Sequence, residues 1–325
     1  LSLVGSEMCI RDRRYDLIVT KEVINFVPGI VPGIGMAMNC FTQKGDKVMI
    51  QPPVYHPFAW VTTRNERTLV INPLKWENGM YRMDLDAFRE QIKGCKLFIL
   101  CNPHNPGGVV WTEAELRAIA DICYDEKVLV FSDEIHADLT LPPHTHRPFA
   151  TVSEKARMNS VTFMSPSKAF NMPGLSASHA LIFNEDLRKR FRIYMDAGEL
   201  DMGHVFAFLS VEAAYSHGTE WLDQCLAYIQ GNIDFVDEFL KKHAPKIKAI
   251  RPEASYLVWL DCRELELSQK DLNEFFVDKA HLALNDGEMF GKEGIGFMRL
   301  NVASPRCIIE KAMKQLADAY QLYIK

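Results

Sequence analysis

At 325 residues, with 48% hydrophobic and 24% charged side chains, the chain is an ordinary globular sequence long enough for two domains around a large core. A formal net charge of -5 gives no electrostatic basis for binding nucleic acid or an anionic membrane surface, and no apolar run is long enough to cross a bilayer. The eight cysteines are dispersed, form no CxxC pair and sit partly inside apolar runs, which fits buried thiols in a reducing, cytoplasmic setting better than a disulfide framework.

Residues 1–13 (LSLVGSEMCIRDR) have neither the basic start nor the apolar core of a signal peptide, and read as a non-native segment resembling translated adapter sequence. Residues 14–200 alternate short apolar runs with amphipathic stretches, the pattern of an α/β domain with a mainly parallel sheet covered by helices. Strands are expected at 47–51, 68–72, 96–101, 128–132, 161–164 and 179–183. A Gly-Pro loop at 27–33 opens an amphipathic run to Phe41, and a helix N-terminus there would suit an anion. Thr112 followed by Glu115 reads as a capping box, and Leu116, Ile119, Ala120 and Cys123 then share one helical face, so residues 96–132 form a βαβ unit. Residues 201–243 carry two helical patterns, at 205–216 and 220–242, that connect to the rest. Residues 244–325 interleave strand patterns at 246–251, 255–261, 281–285 and 296–303 with helices at 269–279 and 306–320, a smaller α+β domain.

Three polar loops follow three of the expected strands, where an α/β sheet presents its ligand-binding groups. They are Asn102-Pro103-His104-Asn105-Pro106-Gly107-Gly108, Asp133-Glu134-Ile135-His136 and Ser165-Pro166-Ser167-Lys168-Ala169-Phe170-Asn171. Each taken alone is compatible with an ordinary turn, because Asn, Pro and Gly are the default turn residues and a loop Lys is usually solvated. A charged residue inside the apolar stretch 296–303, Arg299, is costly to bury unpaired and asks for an anionic partner. His104, His144 and His146 have no further ligand at zinc-like spacing, so no metal site is expected.

In this order the strings QPPVYHPF, NPHNPGG, SDEIHADL, SPSKAFNMPG and GFMRLN resemble the class I/II aminotransferase superfamily of pyridoxal 5′-phosphate (PLP) enzymes, fold type I. The resemblance runs from about Tyr15 to the C-terminus and is nearest to the carbon–sulfur β-lyase branch acting on cystathionine or cystine. It implies that Lys168 condenses with the cofactor aldehyde and later moves the substrate Cα proton, since an amine of lowered pKa can do both. Asp133 is implied to keep the cofactor ring nitrogen protonated, Asn105 to bond the ring's 3′-oxygen, and Tyr55 to stack on the ring. His136 falls where many aminotransferases have a Tyr that touches the cofactor; Glu134 has no clear role by the same comparison. For the phosphate the resemblance implies the Ile30 and Val31 end of the helix together with Ser165 and Ser167. Arg299 matches the clamp for the substrate α-carboxylate, with Arg306 as the other candidate. Many aminotransferases carry an Arg eight residues after the lysine; here that position is Ser176, a departure shared with the β-lyases.

The resemblance further implies a homodimer with shared active sites and a small amino-acid substrate. It also implies several dozen residues before the start of this chain, so the sequence is expected to be a 5′-truncated piece. An aminotransferase using the same residues is the alternative activity. A regulatory protein on the same fold is a more distant one, against which the intact Lys168, Asp133 and Asn105 set argues.

Overall fold

The computed structural model describes Tyr15 and residues 17–323. The expected non-native segment, residues 1–13, lies outside the described residues. The first nine strands are β1 (Ile24–Val27), β2 (Lys47–Ile50), β3 (Thr68–Ile71), β4 (Lys75–Glu77), β5 (Met80–Arg82), β6 (Cys95–Cys101), β7 (Leu129–Asp133), β8 (Ser160–Met164) and β9 (Ser178–Leu181). Seven of them form one sheet in the order β1-β9-β8-β7-β6-β2-β3, while β4 and β5 make a separate hairpin. Pairing is parallel from β3 through β2, β6 and β7 to β8; β9 runs against both its neighbours, β8 and β1. The sheet is therefore mainly parallel, as expected for fold type I.

Strands β6, β7 and β8 are buried along almost their whole length, because helices cover both faces of the sheet. The helices are α1 (Ile30–Phe41), α2 (Pro57–Arg64), α3 (Leu85–Gln91), α4 (Glu113–Asp125), α5 (Glu154–Met158) and α6 (Glu185–Ala197). Helix α4 begins on the capping box anticipated from its sequence: the Glu115 N–H donates to Thr112 Oγ1 at 3.2 Å and the Thr112 N–H to Glu115 Oε2 at 2.8 Å. Helix α1 packs unusually close to the sheet. A Cβ at Gly33 would stand 2.9 Å from Val27 Cγ2 and 3.2 Å from Phe163 Cε1, so only a glycine admits this approach.

Two helices, α7 (Val205–His217) and α8 (Thr219–His243), lead to a four-stranded antiparallel sheet, order β10-β11-β13-β12. Its strands are β10 (Lys248–Ile250), β11 (Leu257–Asp261), β12 (Asn285–Asp286) and β13 (Phe297–Asn301), with α9 (Gln269–Glu274) and α10 (Arg306–Tyr323) packed beside them. Leu226, Ile233, Val236, Leu260, Met298, Met313 and Leu316 share one apolar cluster there. The two sheets are joined through backbone groups. Glu253 and Ala254 N–H donate to Gly108 O at 2.8 and 3.1 Å, and Val54 N–H donates to Phe290 O at 2.8 Å.

Several elements differ from the sequence expectation. Strand β1, the β4–β5 hairpin and helices α2, α3, α5 and α6 were not anticipated. Strand β12 lies at Asn285–Asp286 rather than 281–285, and the helix expected at 269–279 widens into a π-helical turn at Phe275–Lys279.

Candidate active site

Parallel pairing puts the carboxyl ends of β6, β7 and β8 on one edge, with Cys101 opposite Asp133 and Asp133 opposite Phe163. The three polar loops that follow are thereby gathered, and β13 of the second sheet faces them. Between them lies a cavity of about 360 Å³ lined by Ile30, Val31, Tyr55, Asn105, Asp133, His136, Ser167, Lys168, Ser176 and Arg299, among others. Of the residues expected at a cofactor or substrate site, all but Ser165 and the alternative clamp Arg306 line it.

Asp133 ends β7 and is almost wholly buried. One Oδ1 contact, from the Ile135 N–H at 3.1 Å, is too little to offset burial, which pushes the carboxyl from 3.8 up to about 7. The adjacent Glu134 pushes in the same direction, and the Lys168 charge pulls weakly the other way. Lys168 itself sits in the tight turn closed by Phe170 N–H to Pro166 O at 2.9 Å and Met172 N–H to Ser167 O at 2.9 Å. His136 is buried as well; burial first, then the Lys168 and Arg299 charges, hold its imidazole down at about 3, so the ring is neutral. Tyr55 presents a half-buried ring whose hydroxyl is pushed up by burial and by the Asp133 charge.

At the opposite wall, helix α1 starts without a side-chain cap or an acidic residue in its first turn. The first bond in this helix runs from Gly33 N–H to Gly29 O, leaving the N–H groups of Ile30 and Val31 unclaimed by the helix. Arg299 projects from β13, its Nη1 donating to Asn105 Oδ1 at 3.0 Å and its Nη2 to Asn285 Oδ1 at 2.8 Å. Both partners are neutral amides, and Nε is buried without a partner. Burial accordingly holds the guanidinium pKa below its ordinary value.

Ser165 is the exception. Its hydroxyl donates to Ala177 O at 2.7 Å and accepts the Ser167 N–H at 3.1 Å, so it ties the turn together and does not face the cavity. Arg306 is also elsewhere, donating to Asn232 Oδ1 at 2.8 Å and Gly231 O at 2.6 Å on α8. Glu134 points into the core, accepting Ser132 Oγ at 2.9 Å and Phe149 N–H at 2.8 Å, with His146 Nε2 2.8 Å from its other oxygen. His104 Nε2 lies 2.9 Å from Pro53 O, and His144 lies 3.7 Å from Glu253, so the three histidines occupy three separate places.

The family model for aminotransferase class I and II matches residues 9–316. The chain belongs to this family. Among curated relatives, cystathionine beta-lyase PatB of Bacillus subtilis is 39% identical over 303 residues, covering 93% of this chain and 78% of the relative. Protein MalY of Escherichia coli is 29% identical over 304 residues, covering 93% and 77%. Among solved structures, cystalysin of Treponema denticola, which contains PLP, superimposes with a TM-score of 0.97 at 33% identity over 100% of this chain and 82% of that one. The PLP-bound C–S lyase of Staphylococcus hominis gives 0.91 at 31% over 98% and 82%.

Within this family framework the cavity also includes residues that the sequence did not single out: Cys101, Ile135, Tyr256 and Asn301. Cys101 and Ile135 flank loops already flagged, and their strand-end position was the available signal. Tyr256 directly precedes β11 and Asn301 ends β13, and how the second sheet meets the loops of the first has no signature in a linear pattern.

Proposed function

We propose that this chain is a PLP-dependent carbon–sulfur β-lyase that converts a sulfur amino acid such as cystathionine or cystine to a thiol, pyruvate and ammonia. The names of the relatives support the activity. The observation that carries the cofactor assignment is Asp133, a carboxyl that ends β7, lines the cavity and is pushed up to about 7 by its burial. A protonated ring nitrogen placed against it satisfies both groups. When bound, PLP supplies the electron sink for the pair left on Cα as its proton departs.

The protein's own groups then divide the remaining work. Lys168 would be the amine that holds the cofactor, and its Nζ would take the substrate Cα proton. The Ile30 and Val31 N–H groups and the Ser167 hydroxyl would hold the phosphate, with Ser176 where many aminotransferases have an arginine. Asn105 would bond the ring oxygen, Tyr55 would stack on the ring, and neutral His136 would lie near its hydroxyl side. Arg299 takes the α-carboxylate, which orients the Cβ–S bond for departure of the thiolate.

A homodimer in the cytoplasm completes the reading. Exposed Met202, Val205, Phe206 and Leu209 at and before α7 supply an apolar face for a second copy, and the cysteines among the described residues are free. Among the described residues, no helix is long and apolar enough to cross a membrane. The assignment of Lys168 is tested by reconstitution with PLP, borohydride reduction and peptide mapping. The phosphopyridoxyl group is expected on Lys168, and label on another lysine would remove the basis of the mechanism.

A further inference from the structure

Arg299 is oriented by three groups and neutralised by none of them. It stands opposite Asn285 in the β12–β13 pairing, which brings the Asn285 amide to its Nη2 at 2.8 Å. Asn105 holds Nη1, and the guanidinium carbon lies 4.7 Å from the centroid of the buried Phe290 ring. The nearest carboxylate along β12 is Asp286, one residue on. Strand alternation sends it to the other face, where Gln269 Nε2 at 2.5 Å, Asn273 Nδ2 at 2.6 Å and the Glu288 N–H at 2.9 Å occupy its oxygens. A two-residue strand thus keeps its amide on the guanidinium and its acid away from it.

We propose that Asn285 is a positioning residue for substrate binding: a neutral amide fixes the angle of Arg299 while leaving its charge to the α-carboxylate of the incoming amino acid. The inference rests on Arg299 being the carboxylate clamp. An acid at position 285 would be nearly the same shape, yet it would form a charge-assisted pair with the guanidinium, and the substrate would have to compete with it. Removing the amide altogether would leave the cation oriented by Asn105 and Phe290 alone.

The test compares the PLP-loaded wild type with Asn285→Asp and Asn285→Ala. KM and kcat are measured for cystathionine, and binding of propionate, a carboxylate without the amine, is measured by thermal shift. Asn285→Asp is expected to raise KM and the propionate dissociation constant about ten-fold, equivalent to about 1.4 kcal/mol, with the loss falling on KM rather than kcat. Asn285→Ala is expected to raise both about three-fold. Unchanged KM and propionate binding in Asn285→Asp would reduce Asn285 to a structural role, and so would a fall in kcat alone. A wild type that makes no pyruvate would overturn the lyase reading instead; the propionate comparison would still decide the role of Asn285.

Discussion

Asp133 carries the most physical information of any single residue in the cavity. Its carboxyl is raised from 3.8 to about 7, chiefly by burial, so folding without the cofactor takes up a proton between those values. The sign follows: a raised carboxylate leaves its contribution to stability intact below about pH 4 and loses it as pH rises through 7, by about 4 kcal/mol at most. The melting temperature of cofactor-free protein should therefore fall as pH rises from 4 to 7. Asn at position 133 should flatten that slope while retaining bound PLP, and should lower activity on the order of a hundred-fold, because the partner of the ring nitrogen is lost but the shape is kept. A parallel slope in Asp133→Asn, or full activity, would refute the role. The polar stretches at the ends of β6, β7 and β8 were legible in the sequence, but only the family resemblance singled out Lys168, Asp133 and Asn105 within them; all three line one cavity. The direction of the Ser165 hydroxyl was not legible, since it depends on the fold: Ala177 O, twelve residues away in sequence, accepts its hydrogen bond.

At the scale of elements, helix α1 shows how a close approach positions a binding surface. Gly33 is pressed against Val27 and Phe163, both fully buried, and the free N–H groups of the helix open onto the cavity one turn earlier. Gly33→Ala gains about 1 kcal/mol of helix propensity but overpacks the interface by about 1–3 kcal/mol, and the neighbours are branched or aromatic with no room to retreat. A lowered melting temperature together with weaker PLP retention is expected; a more stable variant would show that the contact is slack. The continuous apolar runs of β6, β7 and β8 and the capping box of α4 were readable because burial on both faces and a capped start leave local marks. Strand β1 is only four residues long and carries Asn25, whose amide bonds Ala180 O at 3.1 Å, so it shows neither alternation nor an apolar run. The reversed direction of β9 likewise leaves no trace in composition.

Over the whole molecule, the cavity exists because the loops at the strand ends of the seven-stranded sheet meet residues of the four-stranded one, the two parts being joined through Gly108, Glu253, Val54 and Phe290. In the proposed mechanism the first sheet and its loops bring the proton-transfer and ring-binding groups, and the second brings Arg299 and Asn301, with Tyr256 just before β11. Recognition of the substrate's carboxylate and chemistry at its Cα thus depend on different parts of the chain held at one distance. This arrangement serves both a β-lyase and an aminotransferase, and the two diverge only after Cα has lost its proton, when either the thiolate leaves or nitrogen is passed on. The decisive measurement is the product balance from cystathionine with PLP-loaded protein and no added keto acid. Thiol, pyruvate and ammonia in equal amounts, abolished by Lys168→Ala, are the expected result. Amino transfer to added 2-oxoglutarate, with neither thiol nor pyruvate formed, would contradict it.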